Sequence, residues 1–176
     1  MARYYQGKYR TENTRLSGWD YRSAAHYFIT ICTKDHACCL AKIIDGVAYL
    51  SPLGLIVAEE LWRTPLVRSY VALDAYQVMP NHFHAILVVT ESQTESQPQS
   101  PTPESRLQAG SVGSIVGQFK SICTKRIRDL GQSSFGWHPR YYDHIIRSEV
   151  ELARIRAYIV GNPGKWYEDR FYSEEA

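Results

Sequence analysis

YQVMPNHFHAILVVT, residues 76–90, is the stretch on which the reading of the whole chain depends. A turn holding Pro80 and Asn81 delivers two histidines onto the start of an apolar run. Successive side chains of an extended strand point to opposite faces, so His82 and His84 share one face, about 6–7 Å apart along the strand. Both imidazoles can then reach one ion. Ile86 and Val88 continue that face while Phe83, Ala85, Leu87 and Val89 line the other, which predicts a strand covered on both sides. A histidine pair in such a place is costly unless it has a partner. The residues leave two readings open: a metal-binding pair, or one histidine satisfied in the core and the other capping the turn.

Upstream, HYFITICT (26–33) is rich in β-branched and aromatic residues and predicts the first core strand. CCLAKIIDGVAYLS (38–51) predicts a hairpin turning at Asp45-Gly46, a pair that tolerates the positive φ such turns need. Ser51 and Pro52 supply an N-cap and a first-turn proline for a helix whose Leu53, Ile56, Val57 and Leu61 form an apolar stripe. Val71 to Met79 predicts a strand running through the turn into the histidine strand. Downstream, ESQTESQPQSPTPESRLQAG (91–110) abandons periodicity for Ser, Gln, Pro and Thr and predicts a disordered loop. Ser111 or Ser114 can cap a second helix with Ile115, Val116, Phe119, Ile122, Cys123 and Ile127 on one side. Arg140 to Arg147 predicts another strand. Ser148 with Glu151 forms a capping box for a last helix that reaches about Gly161 before Pro163 stops it. Strand, helix, strand, strand, helix, strand, with an added hairpin, is the ferredoxin-like pattern: an α+β fold with an antiparallel sheet and covering helices.

At 176 residues and 44% hydrophobic content the chain suits one globular domain with trimmings. No apolar run approaches the roughly 20 residues that span a bilayer, and MARYYQGKYR lacks the apolar core of a secretory signal, so the expected location is the cytoplasm, without a membrane partner. Cys32, Cys38, Cys39 and Cys123 show no paired Cys-x-x-Cys spacing and read as reduced thiols. A zinc site from Cys32, His36, Cys38 and Cys39 is disfavoured because strand alternation puts some of them on opposite sides. The net charge of +2 is unevenly spread: residues 1–22 carry five Lys/Arg against two acids, and residues 111–166 nine against four. Such local excess suits a polyanion, and in the basic and aromatic arm 1–22 Arg15 and Trp19 are candidates to contact phosphate and stack on bases. Lys120, Lys125, Arg126 and Arg128 decorate the second helix; an ordinary solvated face explains the same pattern.

On the last helix Tyr158 and Asn162 are four residues apart and therefore neighbours on one face. At about 100° per residue Tyr158 falls on the polar edge with Glu151 and Arg154, which by itself fits a surface tyrosine presenting its hydroxyl to water.

Three ordered stretches, MPNHFHAILVV (79–89), YYDHIIR (141–147) and YIVGNPGKW (158–166), with the opening RLSGWDYRSAAHYFITICT (15–33), resemble the HUH (His, hydrophobic, His) endonucleases. The resemblance is strongest to the single-tyrosine transposases and their REP-associated relatives, and it covers most of the chain outside the middle segment. It implies the HUH fold over 23–166, followed by a C-terminal tail, 167–176. It implies that Tyr158 is the nucleophile and that Asn162 joins His82 and His84 around Mg²⁺ or Mn²⁺. It implies cleavage and rejoining of single-stranded hairpin DNA, including REP-like palindromes, through a 5′-phosphotyrosine, by a nucleoid-associated monomer or homodimer. Arg140, His144, Arg147 and Arg154 become further DNA-contact candidates, with Tyr141 and Tyr142 as stacking or packing residues. His138 departs from the family, whose members usually carry Gln after the Trp. The competing readings are a catalytically silent nucleic-acid-binding protein of the same fold and a nuclease that uses metal-bound water.

Overall fold

In the computed structural model, which describes residues 4–5, 9–10, 16, 18–90 and 109–172, two short strands, β1 (Tyr4–Tyr5) and β2 (Tyr9–Arg10), pair antiparallel ahead of the core. Arg15, most of the arm 1–22 and the loop at 91–108 lie outside the described residues. The β-branched and aromatic run of the first core strand becomes β3 (Ala25–Cys32). The hairpin follows as β4 (Ala41–Ile44) and β5 (Val47–Leu50), with Ile44 opposite Val47. Its turn takes φ of 51° at Asp45 and 73° at Gly46, the left-handed conformation expected of that pair.

Ser51 accepts a hydrogen bond from the Gly54 N–H at 3.1 Å and starts α1 (Pro52–Val67). β6 (Val71–Val78) then runs through the Pro80-Asn81 turn into β7 (His82–Val89). Ser111, rather than Ser114, caps α2 (Val112–Asp129), and β8 (Tyr142–Ile146) precedes α3 (Glu149–Gly161). Ser148 caps α3 by accepting from the Glu151 N–H at 3.2 Å, while Glu151 reaches back to the N–H of Arg147. The main sheet has the order β6-β7-β3-β8 with every pairing antiparallel, so the α+β, ferredoxin-like arrangement read from the element order is the one that forms.

Strand alternation divides the interior into two layers. Tyr27, Ile29, Ile31, Phe83, Ala85, Leu87 and Val89 face α1 and α2 and build the larger core with Val57, Leu61, Ile115, Val116 and Phe119. Phe28 and Ile86 face the other way and pack with Ile146 against Leu152, Ile155 and Ile159 of α3. Ile122, expected on the packed side of α2, is 44% exposed. A register shift between Leu73 and Tyr76 inserts one residue into β6, and within this bulge Asp74 takes an ion pair from Arg156 of α3, Nε at 2.8 Å. The pair fixes α3 across the strand that precedes the histidines.

Residues 163–172 do not trail away. Pro163–Glu168 forms a 3₁₀ turn, Trp166 is 2% exposed, and Gly46 at the hairpin tip passes so close that a Cβ there would meet the Gly164 Cα at 3.3 Å. The expected tail at 167–176 is thus, through Tyr172, a strap folded back on the domain.

The first turn of α1 depends on a missing side chain. A Cβ at Gly54 would sit 1.9 Å from the Leu40 carbonyl oxygen, a backbone atom with no room to retreat. Gly54→Ala is expected to lower unfolding free energy by about 2 kcal/mol or more, since the helix must shift bodily, and a urea midpoint unchanged from the parent would contradict this packing.

Candidate active site

The turn before β7 is held by its backbone. Met79 N–H donates to the His82 carbonyl at 2.8 Å, the Pro80 carbonyl accepts from the N–H groups of Cys39 and Leu40, and the Asn81 carbonyl accepts from both the N–H and the hydroxyl of Thr33. His82 and His84 therefore leave a fixed backbone on one face of the sheet, and both are at most 1% exposed. Their Nε2 atoms converge to 3.1 Å.

Hydrogen bonding decides what those atoms carry. Asn81 donates its Nδ2 to the Phe171 carbonyl at 2.8 Å, which turns Oδ1 toward His82 Nδ1 at 2.9 Å. Because Oδ1 can only accept, His82 Nδ1 holds the proton and Nε2 presents a lone pair. His84 Nδ1 lies 2.8 Å from the Thr30 hydroxyl, which can accept its proton in the same way. Desolvation, reinforced by the charge of Arg170, lowers His82 to about 3, and desolvation with the neighbouring His82 lowers His84 to about 3. Both rings are neutral near pH 7. Two neutral imidazoles with Nε2 atoms aimed at one point form an arrangement that a cation stabilises when His84, with Thr30 as acceptor, keeps its proton on Nδ1.

Three more groups close around that point. Tyr158 places its hydroxyl 3.3 Å from His84 Nε2, and Phe28 stacks on His84 while meeting Tyr158 edge-on. Burial pushes the Tyr158 phenol above its ordinary value, and the Arg170 charge opposes that rise. Asn162 at the end of α3 is 3% exposed, its Nδ2 donates to Asp169 at 3.2 Å, and its Oδ1 is buried without a hydrogen-bond partner. A buried acceptor without a hydrogen-bond partner, on a side chain bonded to Asp169, is an oxygen left open to a further partner. Asp169 supplies the carboxylate: one donor atom from each of His82, His84 and Asp169 lies within 4.8 Å of the other two. Two imidazole nitrogens and a carboxylate oxygen fit a divalent ion such as Mn²⁺ or Mg²⁺.

The sequence reading did not reach Asp169, which it left in the tail. The available signal was composition: WYEDRFY (166–172) is too aromatic for a solvated terminus. Trp166 and Phe171 pack on His82, with ring centroids at 6.1 and 4.8 Å, and bring Asp169 in between them.

Most of the basic candidates are engaged with the protein itself. Lys120 donates to the carbonyls of His138 and Arg140 at 2.8 and 3.1 Å, and desolvation lowers it to about 8. Arg128 donates to the Phe135 carbonyl at 3.0 Å, so these two cations tie the 135–140 loop to α2. Lys125 lies 3.6 Å from Asp129, while His144 at 2.8 Å and Arg154 at 3.8 Å meet Glu151. Arg140 and Arg147 are exposed on either side of β8. Trp19 donates Nε1 to the Tyr27 hydroxyl at 3.0 Å and packs on the larger core. Cys32, Cys38, Cys39 and Cys123 are free thiols, and the three-ligand metal group found among the described residues contains none of them. No helix among these residues is long and apolar enough to cross a membrane.

No protein-family model matches the chain. It is 33% identical, over 97% of its length and 98% of the relative's, to an uncharacterized protein of Haemophilus influenzae. Among solved structures it resembles a REP-associated tyrosine transposase bound to a REP hairpin, with a TM-score of 0.58 and 19% identity over 88% of this chain and 73% of that one. At that identity the likeness establishes a shared fold, the HUH fold.

The buried imidazoles set an acid limit on stability. Each titrates near 3 when folded and near 6.5 when unfolded, so between those values the unfolded chain binds more protons and stability falls as pH falls. The melting temperature of the metal-free protein should drop from about pH 6.5 downward, and His82→Gln combined with His84→Gln should remove that part of the slope. Parallel curves for the two proteins would assign the acid sensitivity elsewhere.

Proposed function

We propose, for a chain that belongs to one family with the Haemophilus influenzae protein and carries the HUH fold, that it is a transposase-type DNA strand transferase acting on single-stranded hairpin DNA. In this reading Tyr158 is the nucleophile, and His82, His84, Asn162 and Asp169 hold Mg²⁺ or Mn²⁺. The observation that carries it is the convergence of the two Nε2 atoms at 3.1 Å with the Tyr158 hydroxyl 3.3 Å from one of them. A tyrosine at that distance is within reach of any phosphate bound to the same centre. The REP hairpin held by the structural neighbour supports DNA of that shape as the partner.

A phenol of ordinary pKa is about one part in a thousand ionised at pH 7, equivalent to roughly 4 kcal/mol. Burial makes Tyr158 worse in this respect, so prior ionisation is not its route to reactivity. When bound, a divalent ion supplies Lewis-acid polarisation of the scissile phosphate and stabilisation of the leaving oxygen. Tyr158, on a packed helix, supplies orientation: its oxygen attacks phosphorus in line, the Oη–P bond forms and the P–O3′ bond breaks. The phenol gives up one proton and the departing 3′ oxygen takes one up. The product is a 5′-phosphotyrosine and a free 3′ hydroxyl, and because one phosphodiester replaces another, a second 3′ hydroxyl can reverse the step without ATP. His82 and His84 remain neutral ligands, oriented by Asn81 and Thr30.

The full chain, incubated with Mn²⁺ and a labelled library of hairpin-bearing single strands and then denatured, should carry label covalently. Tyr158→Phe keeps the ring and removes the nucleophile, so it should bind DNA as before and form no adduct, whereas Tyr142→Phe should still form it. Peptide mass spectrometry placing the DNA on residues 141–147 would transfer the nucleophile to β8. Cleavage by Tyr158→Phe without any adduct would establish water as the nucleophile.

A further inference from the structure

Arg170 differs from the other arginines whose partners are described. Arg22, Arg63, Arg126, Arg154 and Arg156 sit against carboxylates, Arg68 against the Gln118 amide oxygen, and Arg128 against a backbone carbonyl. Arg170 is exposed, has no carboxylate partner among the described residues, and lies with its guanidinium carbon 4.4 Å from the Phe171 ring centroid and 5.8 Å from that of Tyr142. Both rings are anchored. Tyr142 belongs to β8, and Phe171 is pinned through its carbonyl to Asn81 Nδ2 and through its N–H to Asp169 Oδ1 at 2.7 Å. A planar cation held by aromatic rings keeps its N–H fork free for an oxyanion.

The fork has a place to act. A cleft of about 290 Å³ is lined by Asn162, Lys165, Glu168 and Arg170 together with Tyr158 and Asp169, the two residues that reach the histidines. The same residue that follows the carboxylate of the metal group thus shares a wall with the attacking hydroxyl.

Resting on the function proposed above, we infer that Arg170 is a phosphate-binding residue: its guanidinium takes the non-bridging oxygens of the phosphodiester that Tyr158 attacks. The metal group and the guanidinium then grip one phosphate from two sides. The strap contributes both a ligand and a substrate contact, and Lys165 on the same wall adds a second positive charge. The expected ligand class is a single-stranded phosphodiester. Duplex is not required for this contact, because the cleft reads a phosphate rather than a groove.

The test uses the full chain, Mn²⁺ and the dinucleotide d(TpT) as a minimal phosphodiester, with phosphorus relaxation as readout. Bound Mn²⁺ should shorten the phosphorus relaxation time in the parent protein. Arg170→Ala should reduce that enhancement about tenfold at one d(TpT) concentration while leaving Mn²⁺ affinity and melting temperature unchanged. Arg170→Lys should recover part of it, because a point charge replaces a bidentate fork. Equal enhancement in the parent and in Arg170→Ala would overturn the role of Arg170 and leave the metal site standing. Loss of Mn²⁺ binding in Arg170→Ala would also overturn it, by making Arg170 a support for the metal site. No enhancement in the parent would overturn both this inference and the metal-phosphodiester reading beneath it.

Discussion

Two imidazole nitrogens held 3.1 Å apart inside a protein are the constraint around which the rest of this structure is arranged. Each ring needs a partner for Nδ1, a wall against solvent and a backbone that cannot slide. The antiparallel register supplies the first for His84, because Thr30 of β3 lies directly opposite it and offers its hydroxyl. A one-residue slip would turn every side chain of β7 to the other layer. The His-bearing face would then meet the largely hydrophobic side chains of α1 and α2, away from Thr30. For His82 the acceptor comes from its own turn, and Asn81 can serve because the Phe171 carbonyl fixes which end of its amide faces the ring.

Helix α3 meets two demands at once. Leu152, Ile155 and Ile159 bury one stripe against Phe28, Ile86 and Ile146, and the Arg156–Asp74 pair fixes its rotation. Tyr158 comes from the edge of that stripe, so it is 46% exposed and still has its hydroxyl over His84. A tyrosine fully in the stripe would be sealed from substrate, and one on the opposite face would not reach the centre. Asn162, one turn later, lines the same cleft as Tyr158 and donates to Asp169, and α3 is still helical there, with φ of −60° and ψ of −41° at the C-cap.

The main sheet, both covering layers and the histidine pair were legible because each is written in local periodicity: alternation in residues 82–89, apolar stripes, and Ser caps at 51, 111 and 148. Two things were not. Charge counts do not say whether a cation meets solvent or a carbonyl, so the sequence left Lys120 and Arg128 open between polyanion contacts and a solvated face, and their bonds to the 135–140 loop could not be read from it. Trp19, read as a base-stacking candidate, donates to Tyr27 for the same reason: an aromatic residue near basic ones carries no record of which neighbour it finds. The return of residues 163–172 is a long-range event, decided by where Trp166 and Phe171 find apolar surface. Nothing in the spacing after Pro163 specifies that Asp169 will arrive at β7.

The strap also bears on how the site tolerates its own charges. Without a cation, the carboxylate of Asp169 lies near two neutral imidazoles, a phenol and the guanidinium of Arg170, and this set is close to balanced. Adding a divalent ion makes the centre strongly positive, which a single phosphodiester anion can only partly offset. A site built this way gains affinity for phosphate once it is loaded, because the attraction acts in a partly desolvated cleft where charges are weakly screened. It also explains why a tyrosine that partial burial makes harder to ionise suits the proposed chemistry. In that proposal the positive centre that recruits the phosphate would also stabilise negative charge developing on Tyr158 during attack, and a phenol that stays protonated beforehand would not occupy the centre in place of substrate.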